Sequence, residues 1–301
     1  MTPGTVTAIH IHPIKSCRRI EVTSAEVGPH GIVGDREWQV ASGLKPVTQR
    51  QKAALALVQP TPIDGGVRLS ALGQPTIEVA RPIENDTVTG SLVGVKVDVG
   101  DAGDEAARWF SEFLGDEVRL VARTATSELK IPEPIDVFGQ TITFTDVAPV
   151  LVVNAASHRW LEERASEPFP MERFRPNIVV DTDTPFAEDT WRRFRIGSAE
   201  MVHGLIWPRC AVPQVDQEDG SRHKEPAVVL RAHRWCESTP ELPEAVRPIV
   251  ENKGIFGVGC SIGPAGAEVA VGDQLMVDET MEPTLAPPAD LGQEGAGIGN
   301  G

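Results

Sequence analysis

Apolar residues in this chain alternate with polar ones over short runs that glycine or proline then cuts off. Val6-Thr-Ala-Ile9-His-Ile11 is the first such run, ended by Pro13. Positions i, i+2 and i+4 of a strand share one face, so this pattern calls for strands half buried in a sheet. Residues 20–27, 37–41, 67–69, 76–79 and 95–99 repeat it, with Gly28-Pro29, Gly65-Gly66 and Gly73 separating several of them. The 28 glycines and 25 prolines among 301 residues exceed the roughly 36 that average usage would supply together. A β-barrel or curled sheet is therefore expected. The length suffices to bury a sizeable core without disulfides or a structural metal.

One segment of the first half changes period. In residues 104–114, Ala106, Trp109, Phe110, Phe113 and Leu114 fall at helical spacing, which predicts a helix with one apolar stripe. Asp104 is expected to cap it and Gly115 to stop it. Residues 123–139, with Pro132 and Pro134, read as the crossing between two domains. Beyond them, strands are expected at 149–153, 177–180, 193–196, 200–206 and 268–271, with a helix at 156–165. Residues 279–301 contain no Lys or Arg and four acids, and are expected to be disordered. No internal repeat is visible.

The net charge of −15 argues against nucleic acid or an anionic membrane as the main partner. No apolar run reaches the roughly 18 residues of a membrane span, and the first residues lack the pattern of a signal peptide. Four scattered cysteines with no CxxC pair favour free thiols and a cytoplasmic location over a secreted disulfide framework.

Three motifs are weaker than they look. Gly259-Cys-Ser261-Ile-Gly263 spells the serine-hydrolase elbow. That elbow needs a following helix and a later histidine, and neither is present: Pro264 follows and the last histidine is His233. Gly254, Gly257 and Gly259 resemble a dinucleotide loop, but without a helix behind them they read as turns between strands. His10 and His12 share a strand face as metal ligands could, yet read as ordinary surface residues; His233 and Cys236 lack a second pair at zinc spacing.

Positive charge is concentrated in two segments. Residues 10–52 carry Lys15, Arg18, Arg19, Arg36, Lys45, Arg50 and Lys52 against four acids, and residues 173–209 carry six arginines against five acids. Solvated strand ends are one reading; a cationic pocket for an anion, where the planar arginine fork suits phosphate, is the other. Cys210 beside Arg209 and Cys17 beside Arg18 are both thiols that a neighbouring cation could bias toward the metal-binding thiolate, and local chemistry does not choose between them.

The order of short motifs resembles one family. His12-Pro-Ile-Lys15-Ser16-Cys17, Gly34-Asp35-Arg36, Thr48-Gln-Arg50, Phe174-Arg175-Pro176-Asn177-Ile178-Val179, Arg209-Cys210, Val215-Asp216, Lys224-Glu225-Pro226, Phe256-Gly257 and Val271-Gly272-Asp273 follow one another as in the two-part MOSC proteins. Those proteins include the mitochondrial amidoxime-reducing component and its bacterial relatives. The resemblance implies a mainly β fold with a few helices, built as two β-barrel-like domains. Residues 1–122 would be the N-terminal MOSC-associated β-barrel, 123–278 the MOSC domain and 279–301 a tail.

It also implies a molybdenum cofactor, a pterin whose metal takes one protein thiolate, supplied by Cys210 rather than Cys17. Lys15, Ser16, Arg36, Arg175, Asn177 and Arg209 match positions around the anionic pterin, and Asp216 is expected to handle protons or support the site. The implied activity is reduction of N-hydroxylated compounds such as hydroxylamine-type bases and amidoximes. Electrons would come from a separate ferredoxin-, flavodoxin- or cytochrome b5-like protein acting on a monomer. A cofactor or sulfur carrier without turnover is the alternative. Pro208, the 211–214 stretch, His233 and Gly259 depart from the family pattern and alter the walls that meet a substrate.

Overall fold

The computed structural model describes residues 4–83, 87–92, 94–127, 130, 138–239, 242, 244, 246–289 and 291. Seven strands close a barrel. In order around it stand Val150–Asn154, Ile178–Asp181, Gly4–Ile11, Gln274–Thr280, Trp191–Ile196, Ala199–Pro208 and Lys253–Gly263, and the last pairs with the first again. All neighbours are antiparallel except Val150–Asn154 with Ile178–Asp181. The first strand of the chain is thus a stave in a barrel otherwise made from residues 150–280.

The alternation anticipated from sequence fills that barrel. Val150, Val152, Ile178, Val180, Phe194, Ile196, Val258, Cys260 and Ile262 occupy every second position of their strands and form one buried cluster inside it, with Val6, Ile9 and Trp191. The intervening residues Leu151, Val153 and Val179 point outward, as does Phe256, where the left-handed Gly257 breaks the alternation. They pack under the helices Ala155–Glu162 and Glu225–His233, against Trp160, Leu161, Val229 and Leu230. Both faces of Val150–Asn154 are covered, which is why the run is continuously apolar rather than alternating.

A second core lies outside the barrel. A five-stranded sheet containing Trp38–Ser42 and Arg119–Ala122, and a three-stranded sheet containing Gly66–Ser70, enclose Trp38, Val40, Leu69, Leu120 and the stripe of the helix Gly103–Leu114. That helix ends as expected, with Gly115 left-handed at φ 69° and its N–H donating to the Ser111 carbonyl at 2.8 Å. Its start differs. The Asp101 carboxylate accepts from the Gly103 N–H at 2.8 Å, while Asp104 faces Arg119 at 3.0 Å, because the helix begins one residue earlier than its apolar period shows.

Other expectations are corrected by long-range pairing. Gly254, Gly257 and Gly259 are not turns: all three lie within the strand Lys253–Gly263. Each accommodates a close neighbour. A side chain on Gly259 would meet the Trp207 ring at 2.7 Å, and one on Gly257, at φ 79°, would meet the Val152 carbonyl at 2.9 Å. His10 and His12 are buried rather than on the surface. The final strand runs to Thr280, so 279 and 280 are ordered into the barrel, and Leu285 and Leu291 pack against core clusters. Most of the 123–139 crossing expected from the prolines, and residues 292–301, lie outside the described residues.

A buried ionic group ties the 3-10 turn Ala187–Thr190 to the end of the helix Glu225–His233. The Arg234 guanidinium donates to Asp189, and Glu188 beside it accepts from the Ser157 hydroxyl at 2.8 Å. Burial, with the Asp189 charge added, holds the Glu188 carboxyl above the usual carboxylate range. As pH rises past that usual range the unfolded chain gives up this proton before the folded one does, so the folded state loses stability. Glu188→Gln is expected to gain on the wild type between pH 5 and 8 by about 1 kcal/mol or more. Urea unfolding at both pH values measures it, and a pH-independent difference would contradict the assignment. Gly257→Ala, forced into a left-handed φ against a carbonyl, is expected to cost about 2 kcal/mol in the same experiment.

Candidate functional site

Three non-glycine residues with left-handed backbone, Ser16 at φ 69°, Arg36 at φ 51° and Arg175 at φ 54°, converge on one cavity of about 530 Å3 between the two cores. Such conformations cost of order 1–3 kcal/mol each and persist only where the surroundings impose them. Ser16 lies inside a tight turn in which the Cys17 N–H donates to the Ile14 carbonyl and the Lys15 N–H to the Trp38 carbonyl. Arg36 is fixed by its N–H to the His12 carbonyl at 2.8 Å, and Arg175 ends the 3-10 turn Met171–Phe174. Arg209-Cys210 leaves the barrel strand Ala199–Pro208, with the Arg209 N–H donating to the Gly254 carbonyl at 2.8 Å.

Both cation-bearing segments contribute to the lining. Lys15, Arg36, Arg50, Arg175, Arg209 and Lys253 border the cavity, and Asp146 is the one carboxylate among the described lining residues. Arg175 is buried, with Nη1 donating to Gln217 at 3.2 Å and Nη2 without a partner. Burial first, and then the Arg36 charge, push its guanidinium below the ordinary arginine range. Arg209 donates from Nη2 to the Phe174 carbonyl at 2.5 Å, while its Nε and Nη1 are buried and unpartnered. Burial lowers it too. Unmatched buried donors on charged groups are costly, and an anion in the cavity would satisfy both arginines.

The expected residues divide by what they touch. Lys15, Ser16, Arg36, Arg175, Asn177, Arg209 and Cys210 all line the cavity. Asn177 is fully committed: its Oδ1 accepts from Leu151 N–H and from Arg36, and its Nδ2 donates to the His10 carbonyl. It therefore orients Arg36 and joins three staves of the barrel. Asp35, buried, accepts from the His12 N–H at 2.8 Å and pairs with Arg36; although burial opposes its charge, Arg36 and His12 hold its carboxyl down to about 2.

Asp216 is not brought to the cavity. It accepts from Arg173 at 2.6 Å and from the Glu218 N–H at 2.8 Å. Its neighbour Gln217 bonds to the lining residue Arg175 instead. Buried Gln49 and Gln217 exchange amide hydrogen bonds at 2.9 and 3.0 Å; Gln49 also donates to the Ser16 carbonyl, and Gln217 accepts from Arg175.

Asp146, which no local pattern singles out, receives Lys15 Nζ at 2.5 Å. Its carboxyl is ringed by protein yet 57% open to solvent in the cavity. Enclosure alone would raise it, but Lys15, with Arg36 and Arg50 behind, holds it below the usual carboxylate range.

Cys17 and Cys210 differ in burial. Cys17 is wholly buried in the second core, where burial raises its thiol to about 12. Cys236 and Cys260 are also buried, and burial raises both. Cys210 alone is exposed, at the cavity. No group of three or more His, Cys, Asp or Glu that could hold a metal ion occurs among the described residues. Ser261 is buried within a strand, which also removes the hydrolase elbow.

A barrel completed by the first strand, with a cation-lined cavity beside a second β-rich core, is the arrangement of a two-domain MOSC protein, and the chain belongs to that family. The model for the MOSC N-terminal beta barrel domain matches residues 3–117, and that for the MOSC domain matches residues 139–276. Among curated proteins it is 32% identical to mitochondrial amidoxime reducing component 2 of Rattus norvegicus, over 91% of this chain and 84% of the relative. The Bos taurus protein of the same name is 33% identical over 90% of this chain and 82% of its own. Molybdenum cofactor sulfurase of Danio rerio is 29% identical over 78% of this chain and 30% of its own length. The family is thus one associated with the molybdenum cofactor. Among the described residues no helix is long and apolar enough to cross a membrane.

The exposure difference predicts thiol reactivity. Native cofactor-free protein is expected to take up one equivalent of iodoacetamide per chain, at Cys210, and four equivalents once unfolded. Mass spectrometry of the labelled protein reads the count, and Cys210→Ser should reduce the native uptake to none.

Proposed function

We propose that this protein is a molybdenum-cofactor-dependent reductase of N-hydroxylated compounds. The observation that carries the proposal is the single exposed thiol, Cys210, set in a cavity whose buried Arg175 and Arg209 hold unpartnered donors. That donor set fits the group: a pterin phosphate needs cations and hydrogen-bond donors, and molybdenum needs a thiolate. The names of the relatives support the choice of reaction, since two of those described are amidoxime reducing components.

Lys15, Ser16, Arg175 and Arg209 would hold the phosphate, with Asn177 and Asp35 fixing the Arg36 fork and the Gln49–Gln217 pair fixing Ser16 and Arg175. Cys210 would anchor the metal. When bound, the cofactor supplies the two-electron chemistry that cleaves N–O. The net conversion is R–NHOH + 2 e⁻ + 2 H⁺ to R–NH2 + H2O, with electrons arriving from a separate redox protein. Asp146, kept ionised by Lys15, is a proton acceptor rather than an acid at neutral pH, so the protons enter from water in the open cavity. Asp216 would act only from outside, through Arg173 and the loop that carries Gln217.

Protein made in a cofactor-competent host is expected to carry about one molybdenum per chain. Cys210→Ala should lose it and Cys17→Ala should retain it, by elemental analysis. Turnover of benzamidoxime with reduced viologen should accompany the metal. Metal without turnover would replace the reductase by a cofactor carrier, and wild type without metal would overturn both.

A further inference from the structure

The cavity holds more positive charge than one pterin phosphate uses. A phosphate monoester carries about −2 at neutral pH. Lys15, Arg36, Arg175 and Arg209 surround the deep part of the cavity, with Asp146 offsetting Lys15 and Asp35 offsetting Arg36. The two charges left over match the phosphate. Arg50 and Lys253 remain. Both are exposed, both line the cavity, and among the described residues neither has a carboxylate within 4 Å. Among the described residues the Arg50 side chain hydrogen-bonds to the Thr48 hydroxyl alone, through Nε at 3.2 Å, and its charge reaches into the cavity as far as Asp146. Among the same residues Lys253 Nζ makes one bond, to the Ile249 carbonyl at 2.7 Å, out of the three it can donate.

In having no carboxylate nearby among the described residues, they differ from exposed arginines such as Arg68, Arg159 and Arg195, which pair with Glu78, Asp181 and Asp278. The nearest acid in sequence to Lys253, Glu251, is turned to the Ser238 hydroxyl at 2.5 Å and does not line the cavity. The lining also includes the apolar residues Ile249, Trp207, Pro208 and Val212, which suit a flat organic body. In a chain of net charge −15, the two cations give the mouth a local attraction for anions that the rest of the surface opposes.

Building on the reductase reading, we propose that the preferred substrate is an anionic N-hydroxylated compound. Its ring lies on the Trp207–Ile249 wall, its N–OH faces Cys210, and a phosphate or carboxylate is held by Arg50 and Lys253. The reaction is the balanced one given above. The anionic group is not altered; it positions the nitrogen.

The test compares 6-hydroxylaminopurine riboside with its 5′-monophosphate on molybdenum-loaded protein, using reduced viologen as the electron source. The monophosphate is expected to have a kcat/KM about tenfold higher at low salt, a difference that shrinks with added salt. The ratio should fall toward one in Arg50→Gln/Lys253→Gln. The amine product offers a readout independent of turnover: adenosine monophosphate should bind the loaded protein more tightly than adenosine, and the double variant should lose that difference. Equal rates and equal binding of the charged and uncharged compounds in the wild type would overturn the inference, as would a preference that survives in the double variant. If neither compound is reduced, the reductase reading fails, and the binding comparison still decides whether the mouth selects anions.

Discussion

Insertion of Gly4–Ile11 between Ile178–Asp181 and Gln274–Thr280 is the constraint from which the site follows, because it fastens the beginning of the chain into a barrel made by its second half. The turn that carries Lys15 and Ser16 leaves directly from this strand. Its position relative to Arg175, more than 150 residues later, is therefore set by backbone ladders rather than by side-chain contacts. Asn177 secures the junction with bonds to Leu151, His10 and Arg36, so the register of three strands and the direction of a cavity arginine are one structural fact.

Concentrating cations this way has a cost that the fold distributes. Arg36 and Arg175 repel each other, and each occupies a left-handed backbone region. Asp35, the Asn177 side chain and the Gln49–Gln217 pair hold them, and Asp35 offsets only one of the two charges. An anionic ligand would relieve the desolvation of the unpartnered donors on Arg175 and Arg209. A chain of net charge −15 thus presents a cationic site because Asp146 is the one carboxylate among the described lining residues, while acids such as Glu78, Asp181 and Asp278 lie in exposed ion pairs, which contribute little to stability.

Legibility in the sequence tracked whether the cause was local. The alternation in 4–11, the stripe in 103–114 and the stop at Gly115 depend on neighbours a few residues away, and all are present in the fold. Gly254, Gly257 and Gly259 misled because glycine has two meanings that sequence does not separate: freedom to turn, and room for another chain segment. In the strand Lys253–Gly263 the second applies, with Trp207 and the Val152 carbonyl in the space. Gln217 and Asp146 were invisible for the same reason. One acts through Gln49, 168 residues away, and the other through Lys15, 131 residues away.

By itself the sequence determined that the chain is β-rich, that its positive charge gathers in two segments, and, through ordered short motifs, which family it resembles. These depend on residue type and spacing, which a linear string records. Tertiary structure alone decided that the two cationic segments face one cavity, that Cys210 is open while Cys17 is sealed in a core, and that Asp216 bonds to Arg173 while Gln217 bonds to the lining residue Arg175. Burial and the meeting of distant groups are properties of the closed barrel, and a thiol's or a carboxylate's chemistry is set by the dielectric and charges that closure brings around it.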